Sequence, residues 1–472
     1  MVRRGLVMAS VWALAVLLTA GWAPPAGASS GSPLAPGDPV WAAFFDGPAH
    51  DWDGASVVAA SPDGSKVFVT GYAGVSSGVA DYATTAYDAS TGSLLWSRRY
   101  DGPSHGNDLA HSLAVSPDGT KVFVTGESQR TSTNLDYATV AYDAGTGSPV
   151  WVRRYNGPGN ANDQARWVAV SPDGTVVFVT GTSGGTGTQF DYATVAYDAG
   201  TGALRWGMRY NGPANQSDYA AAVAVSGGGS KVFVTGSSAR VSLDLDWATV
   251  AYDAASGGQL WSQRYNGPGN ATDQPTSVAS SPDGSRVFVT GTSGGAGTAF
   301  DYATVSFDSA TGALLWTSRY DGPAHDTDEA NSLAVSSDGS RVFVTGYSTG
   351  TTTGQDYATV AYDAGTGSQQ WVARHNGLND WPDVAESIAA SPDGTRVYVT
   401  GGTLREMGRF DYATVAYDAA TGSELWGRRF DGPSGRTDFA YSVAVSPDGS
   451  KVFVTGDSAF GTTDWATVAY EA

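Results

Sequence analysis

Aspartates recur at a fixed spacing along this chain of 472 residues, and they are the first candidates for chemistry. One series stands in loops that each precede a strand of small residues: Asp53, Asp108, Asp163, Asp218, Asp273, Asp328, Asp383 and Asp438. Carboxylate oxygens are the ligands that Ca²⁺ prefers, so a ring of them could bind calcium or a cationic ligand. Alternatively, each aspartate accepts hydrogen bonds from backbone amides of its own loop. Recurrence in every repeat favours the structural interpretation, and calcium stays a candidate.

Histidines and arginines accompany these aspartates. His50, His105 and His325 each precede a ring aspartate by three residues, and the first two could share a metal with Asp53 and Asp108. A second aspartate series precedes a strand rich in aromatic residues: Asp81, Asp136, Asp191, Asp246, Asp301, Asp356, Asp411 and Asp464. Arginines recur three residues after a tryptophan in seven repeats: Arg99, Arg154, Arg209, Arg264, Arg319, Arg374 and Arg429. We expect the arginines to pair with one aspartate series as structural braces.

Function in a repetitive chain is expected where the repetition breaks. The seventh of the aspartate-bearing loops departs most from the others: His375, Leu378, Trp381, Pro382 and Asp383. A nearby variable loop is the most charged: Arg405, Glu406, Met407 and Arg409. Since an exposed tryptophan beside charged groups can stack on a sugar or anchor a protein, we select Trp381, His375, Arg405, Glu406 and Arg409 as a candidate partner-binding set. Arg166 and Trp167 interrupt another strand, where Trp167 is better explained as filling a gap.

The elements that position these residues follow from one repeated stretch, SPDGSKVFVTG at Ser61–Gly71. Its closing glycine recurs every 55 residues, at Gly71, Gly126, Gly181, Gly236, Gly291, Gly346, Gly401 and Gly456. Each unit contains a strand of small residues, a tight Ser-Pro-Asp-Gly turn, an apolar strand, a Tyr/Thr/Val-rich strand and a strand that carries Trp and Arg. Four antiparallel strands per unit predict a propeller blade.

The ends of the chain set the number of blades. Tryptophans of the fourth strand stand at Trp41, Trp96, Trp151, Trp206, Trp261, Trp316, Trp371 and Trp426. Trp41 precedes the first complete unit, and the sequence stops after an eighth third strand. The sequence therefore predicts an all-β fold, a single eight-bladed β-propeller of four-stranded antiparallel blades. The N-terminal strand joins the C-terminal blade and so closes the ring.

The turn and the fourth strand resemble known propeller repeats. Residues 141–151, AYDAGTGSPVW, are similar to the A-x-D-x-x-T-G-x-x-x-W repeat of pyrroloquinoline quinone (PQQ)-type propellers, and seven units carry it with only Ser256 and Ser306 as departures. Residues 391–400, SPDGTRVYVT, are similar to the YVTN-type repeat. The resemblance implies a propeller in which the tryptophan packs between blades. It implies little about activity, because propellers carry many unrelated functions. The long insertions and adjacent cysteine pair of quinoprotein dehydrogenases are not in this sequence.

Composition and the first residues bear on compartment and partners. Arg3, Arg4 and the apolar run at 6–20 predict a signal peptide over residues 1–28, through either the Sec or the twin-arginine route. A Ser/Gly/Pro linker follows at 29–38, and the propeller occupies 39–472. Loss of two arginines changes the net charge from −20 to −20 − 2 = −22, which disfavours nucleic acid. We expect a secreted, acidic monomer without membrane insertion. With no cysteine, disulfides and thiolate chemistry are excluded.

These observations favour a secreted, non-enzymatic propeller that binds a protein or carbohydrate through its variable-loop face, with no cofactor. The alternative is an enzyme, either a metal-dependent hydrolase or lyase or a reduced quinoprotein, with its site at the channel mouth. That alternative predicts that His50, His105, His375 and Asp383 converge in one pocket. A structural module of a cell wall or matrix is the third hypothesis.

Overall fold

The structure is a computed structural model that describes residues 34–472 except 77, 132–133, 242–243, 298, 378–379, 407 and 461. The predicted signal peptide, residues 29–33 of the linker, Leu378 and Met407 lie outside the described residues. In the described part of the chain there are 32 β-strands and no α-helix. No helix there is long and apolar enough to cross a membrane.

The strands fall into four classes according to their place in a blade. The inner strands are β2 (Asp53–Ala60), β6 (Asp108–Val115), β10 (Asp163–Val170), β14 (Asp218–Val225), β18 (Asp273–Ser280), β22 (Asp328–Val335), β26 (Asp383–Ala390) and β30 (Asp438–Val445). The second strands are β3 (Lys66–Ser76), β7 (Lys121–Gln129), β11 (Val176–Gly184), β15 (Lys231–Val241), β19 (Arg286–Gly294), β23 (Arg341–Thr349), β27 (Arg396–Glu406) and β31 (Lys451–Phe460). The third strands are β4 (Val79–Asp88), β8 (Leu135–Asp143), β12 (Phe190–Asp198), β16 (Asp244–Asp253), β20 (Phe300–Asp308), β24 (Gln355–Asp363), β28 (Arg409–Asp418) and β32 (Thr462–Glu471). The outer strands are β5 (Leu94–Tyr100), β9 (Pro149–Tyr155), β13 (Leu204–Tyr210), β17 (Gln259–Tyr265), β21 (Leu314–Tyr320), β25 (Gln369–His375), β29 (Glu424–Phe430) and β1 (Pro39–Phe45).

These strands form eight antiparallel sheets of four, which confirms the predicted blades. Blades 1 to 7 follow the chain from β2–β5 to β26–β29, and blade 8 has the order β30-β31-β32-β1. Pro39 pairs with Tyr470 and Phe45 with Trp465, so the N-terminal strand completes the C-terminal blade as predicted. Each inner strand contacts the inner strands of both neighbouring blades, which closes the ring around a central channel.

The hydrophobic core lies between blades. In blade 3, Val177 and Val179 point into the core shared with blade 2, whereas Phe178 points into the core shared with blade 4. The second strands are apolar on both faces because a neighbouring blade covers each face.

The tryptophans of the outer strands join each blade to the next. Trp151 is buried, its Nε1 donates to the carbonyl of Ala199 at 3.0 Å, and its ring covers Gly202. Gly202 has a φ of +68°, and a Cβ there would lie 2.7 Å from Trp151 Cδ2. The same bond is made by Trp41, Trp96, Trp206, Trp261, Trp316 and Trp371. The resemblance to PQQ-type repeats therefore correctly implied an interblade tryptophan.

Two groups of loops lie on one face of the ring, which we call the loop face. The linking loops run from an outer strand to the next inner strand, and the variable loops connect second to third strands. They touch each other within a blade: Gly184 in the variable region donates to the carbonyl of Asn162 in the linking loop at 3.0 Å. All the candidate residues of the sequence analysis that stand in these loops therefore share one face.

Candidate functional site

The ring aspartates begin the inner strands, and all eight are fully buried. Asp163 is representative, because its Oδ2 accepts from the amide of Gly157 at 2.7 Å and its Oδ1 from the amide of Gly184 at 3.2 Å. The carboxylate thus ties the linking loop to the variable loop of the same blade. Burial raises the pKa of Asp163, against opposing hydrogen bonds. This geometry is the loop-bracing alternative, and calcium binding is still a prediction.

The second aspartate series pairs with the arginines, as expected. Arg154 Nη2 lies 3.2 Å from Asp136 Oδ2, and Nη1 donates to Ser128 of the same blade and to the Tyr100 hydroxyl of the preceding blade. Four more arginines repeat the aspartate and serine contacts: Arg209, Arg264, Arg319 and Arg374. The braces therefore hold charged groups in partly buried positions, paired rather than free.

Two arginines, Arg99 and Arg429, contact their aspartates through Nε instead of Nη2, because the serine and tyrosine partners of Arg154 are replaced at their junctions. Arg99 would need a serine where Ala73 stands and a tyrosine where Phe45 stands. Its side chain is 46% exposed, compared with 21% for Arg154, and its Nε lies 2.8 Å from Asp81 Oδ2. Arg429 likewise faces His375 and Thr403 in those two places, and its Nε contacts Asp411 at 3.1 Å.

The eighth position carries no arginine, because Phe44 stands there. Its aromatic partner from the preceding blade is Phe430 instead of a tyrosine, with ring centroids 6.1 Å apart. The Arg–Tyr pair that Arg154, Arg319 and Arg374 form is thus replaced at this junction by an apolar pair. A cavity of about 250 Å³ adjoins these two rings on the perimeter.

The three loop histidines serve a local purpose. His105 has a φ of +52°, and its Nδ1 lies 2.8 Å from Asp101 Oδ2. In the third loop Asn156 and Asn160 take the same places, and Asn156 Nδ2 donates to Asn160 Oδ1 at 2.7 Å. The pairs change together along the chain, as Asp–His in three loops and as Asn–Asn in three others. The aspartate raises the pKa of each histidine through its hydrogen bond.

Where the linking loop begins with aspartate, three carboxylates meet at the blade junction. Oxygens of Asp81, Asp101 and Asp108 lie within 4.8 Å of one another. Equivalent groups of three occur at three further junctions: Asp46, Asp53 and Asp464; Asp301, Asp321 and Asp328; Asp411, Asp431 and Asp438. If calcium binds to this ring, these four junctions have the donor set for it. In the sequence, these four junctions could have been recognised because their linking loops begin with D-G-P, whereas other linking loops begin with N-G-P.

The candidate partner-binding residues are placed in two different surroundings. His375 ends an outer strand on the perimeter, where its Nδ1 lies 3.2 Å from Glu424 Oε2. Arg405 pairs with Asp431 of the eighth linking loop, and Arg409 donates to a backbone carbonyl of that loop. The other two members are Trp381, which is half-buried, and Glu406, which is exposed. Among the described residues, no recorded contact joins His375 or Trp381 to the three charged residues.

Of the four residues of the enzyme alternative, His375 and Asp383 share one junction, where the histidine acts on the pKa of the carboxyl group, and no contact in the described part of the chain joins them to His50 or His105. His50 bonds to Asp46, His105 to Asp101, His375 to Glu424, and Asp383 accepts from the amide of Gly377. Each group is engaged within its own junction. The pocket that this alternative predicts is not formed by these contacts.

Sequence reasoning singled out Arg166 but missed that it belongs to the position at which the blades differ most. Every inner strand contains a β-bulge: in blade 2 the pairing shifts between Ala110 and Ser112, so His111 is the extra residue. The eight bulge residues are all of different types: Ser56, His111, Arg166, Ala221, Thr276, Asn331, Glu386 and Tyr441. The residue before each bulge is alanine in seven blades and proline in one. Bulges re-aim side chains next to functional sites, and here they place one different side chain per blade around the channel mouth.

Polar contacts connect bulge residues across blades. On blades 2 and 3, Arg166 Nη1 lies 3.5 Å from His111 Nε2, and Glu127 lies 3.6 Å from His111 and accepts from Gln164 at 2.7 Å. Trp167, beside this network, is 42% exposed and so does not fill a gap, contrary to expectation. This wall of the channel presents a guanidinium and an indole to solvent.

The other wall is acidic and aromatic. Glu386 in blade 7 and Asp457 in blade 8 both have a pKa raised by burial to about 7. Tyr441 donates its hydroxyl hydrogen to Asp457 Oδ2 at 3.2 Å. Glu329 adds to the raised pKa of Glu386 through its negative charge. One side of the channel mouth thus combines the Arg166 guanidinium with the Glu127 carboxylate, and the other side carries the carboxyl groups of Glu386 and Asp457.

Comparison with known proteins supports the architecture. The sequence matches the family described as outer membrane protein assembly factor BamB over residues 33–268 and 246–470. No curated protein sequence matches it. Among solved structures, Sqt1 of Chaetomium thermophilum bound to the N-terminus of ribosomal protein L10 is similar, with a TM-score of 0.59, 15% identity, and coverage of 92% of this chain and 100% of that chain.

Two further structures represent different functions on this fold. BamB of Moraxella catarrhalis is similar with a TM-score of 0.50, 15% identity, and coverage of 92% and 99% of the two chains. The quinohemoprotein alcohol dehydrogenase ADHIIG of Pseudomonas putida HK5 is similar with a TM-score of 0.53 and 13% identity, over 92% of this chain and 76% of that one. At such identities the likeness shows the fold alone.

Proposed function

We propose that this chain, which belongs to the family of the outer membrane protein assembly factor BamB, is an exported module that binds a protein partner at the channel mouth of its loop face. The observation that carries the proposal is the set of eight different bulge residues on an otherwise uniform ring. Residues that support the fold are repeated in most or all blades, as the brace arginines and the ring aspartates are. Variation at one structurally fixed position is expected of a recognition surface.

The nature of the surface favours a macromolecule. Exposed aromatic residues and arginine, which dominate binding energy at protein interfaces, stand on both walls of this mouth: Arg166 and Trp167 on one, Tyr441 on the other. Sqt1, whose structure was solved with the N-terminus of a ribosomal protein, shows that a propeller of this kind can bind a protein segment. Carbohydrate is the other ligand class that such aromatic groups suit, and the proposal includes no cofactor.

The test is partner capture with a matched pair of variants. Alanine at three bulge positions, R166A/E386A/Y441A, should preserve the fold, because Ala221 already occupies the same position in blade 4. The control L95S/L204S alters two exposed perimeter residues instead. Immobilised mature protein is exposed to exported proteins of its host, and captured proteins are identified by mass spectrometry. We expect the bulge variant to lose a partner that wild type and the control retain. If the bulge variant also retains this partner, the proposed site is refuted.

Export itself is part of the proposal, because residues 1–28 carry the features of a signal peptide. N-terminal sequencing of protein recovered from outside the cytoplasm should find residue 29 or a close neighbour. Protein that begins at residue 1 in the cytoplasm would contradict it.

A further inference from the structure

We propose that the channel mouth recognises a basic side chain, lysine or arginine, of its partner through Trp52, Tyr72, Glu386, Tyr441 and Asp457, which we call the aromatic–acidic sector. The inference rests on the proposed function and names the partner's chemistry. The sector lies where blades 7, 8 and 1 meet.

Aromatic rings and a carboxylate are held together in this sector. Tyr441 donates to Asp457 Oδ2 at 3.2 Å, and the negative charge of Asp457 acts on Tyr72. Tyr72 in turn packs against Trp52, with ring centroids 4.9 Å apart. Trp52 and Tyr441 are 37% and 39% exposed, so both have surface to offer a ligand. An aromatic face attracts a cation, most strongly where it is partly desolvated.

Two glycines make the ring positions feasible. A Cβ at Gly54 would lie 2.4 Å from Tyr72 Cζ, and a Cβ at Gly402 would lie 2.4 Å from Phe439 Cδ2. Phe439 stacks on Tyr441 with centroids 5.2 Å apart, so it sets the position of that ring. Neighbouring blades carry side chains in these places. The aromatic groups are therefore built into the sector by local departures from the repeat.

The carboxylates of this sector have no cationic partner among the described residues. No ion pair is formed by Glu386 or Asp457 there, although both are half-buried. Glu127 on the opposite wall is different, because His111 and Gln164 contact it and, despite burial, lower its pKa. A half-buried carboxylate without a counter-charge is costly, and a bound cation removes that cost.

An organic cation fits better than a metal ion. Calcium needs six to eight oxygen ligands, whereas ring faces make up much of this sector. A lysine or arginine side chain uses both features, since its head pairs with Asp457 while its stem and charge contact the rings. The net charge of −20 would also steer a basic segment toward the molecule.

The test is calorimetric titration of the mature protein with a capped penta-arginine peptide at 150 mM NaCl. We expect D457N to weaken binding by tenfold or more. D326N removes the same charge from an exposed carboxylate of the loop face, and E127Q removes it from the opposite wall. Both controls should change binding less than twofold, with melting curves reported for every variant.

Each other outcome overturns the inference. If D326N weakens binding as much as D457N, the peptide responds only to net charge. If wild type does not bind the peptide, the sector does not recognise basic side chains. If Ca²⁺ alone binds and D457N abolishes it, the sector is a metal site. In any of these cases, the proposed function stands if R166A/E386A/Y441A loses a natural partner that wild type retains. Failure of this inference and failure of the proposed function are therefore distinguishable.

Discussion

The hydrogen bond of the interblade tryptophans can be isolated by comparing Trp151→Phe with Trp426→Phe. Both indoles are buried and cover a glycine of the next blade, Gly202 and Gly37, and both stack on an aromatic residue with centroids 5.8 and 5.9 Å apart. Only Trp151 donates a hydrogen bond, at 3.0 Å; Trp426 Nε1 has no partner among the described residues. The packing loss should therefore be similar for the two substitutions.

The expected difference follows from the hydrogen bond alone. A net contribution of about 0.5–1.5 kcal/mol is typical, and a buried acceptor left unsatisfied costs about 1–3 kcal/mol. We therefore expect W151F to lower the free energy of unfolding by roughly 1–3 kcal/mol more than W426F. Urea unfolding measures this, provided that the m values of both variants equal that of wild type. Equal destabilisation by the two substitutions would refute the reasoning and would show that the ring contact alone joins the blades.

Four further results are expected. Gly147→Ala places a Cβ 2.6 Å from the neighbouring tryptophan at a φ of +68° and should lower the unfolding free energy by several kcal/mol. Gly187→Ala, with a φ of +77° and open space around it, should lower it by only about 1 kcal/mol. Similar losses for the two variants would show that contact with the tryptophan does not cause the destabilisation. Burial raises the pKa of Asp457 from 3.8 to about 7, so its stabilising contribution is present at low pH and is lost as pH rises through 7. D457N should consequently be more stable than wild type at pH 8, by about 4 kcal/mol at most, with the gap closing toward pH 4 in denaturant titrations; a gap independent of pH would contradict this. Since Asp101 raises the pKa of His105, their pairing stabilises the loop below pH 6.5 and loses this effect as the pH rises. D101N/H105N should therefore melt at a lower temperature than wild type only in acid. If the ring aspartates are only braces, calcium and chelator should give the same melting temperature, whereas a bound ion would shift it.

The fold was accessible from the sequence because each structural requirement recurs in seven or eight units. Turn glycines, interblade tryptophans and brace arginines repeat at one period, so the blades, their number and the closing strand could be predicted. Pairing of the arginines with one of the two aspartate series was also expected from their symmetry, and the structure shows that it is the series of Asp136. The position of Arg99 was not, because it depends on Ala73 and Phe45, which are remote in sequence.

The bulge residues, of which only Arg166 was singled out from the sequence, were missed as a set for the opposite reason. Searching for repeated residues draws attention to Asp163 and its equivalents, which the structure places in bracing contacts. His111 and Glu386 share a position at the 55-residue period, but only the β-bulge shows that this residue of the inner strand is unpaired. In such a ring, a residue that is repeated at one position in every blade indicates a structural role.

The antiparallel pairing of β1 with β32 also determines how the ring responds to mechanical force. Pro39 and Tyr470 lie at the same end of this ladder, and Phe45 and Trp465 at the other. A load that pulls residues 39 and 470 apart therefore acts on one hydrogen-bond pair at a time, and does not shear the whole ladder together. The propeller should open at this ladder under small forces because its hydrogen-bond pairs break one after another. The seven blades formed by continuous chain should keep their sheets.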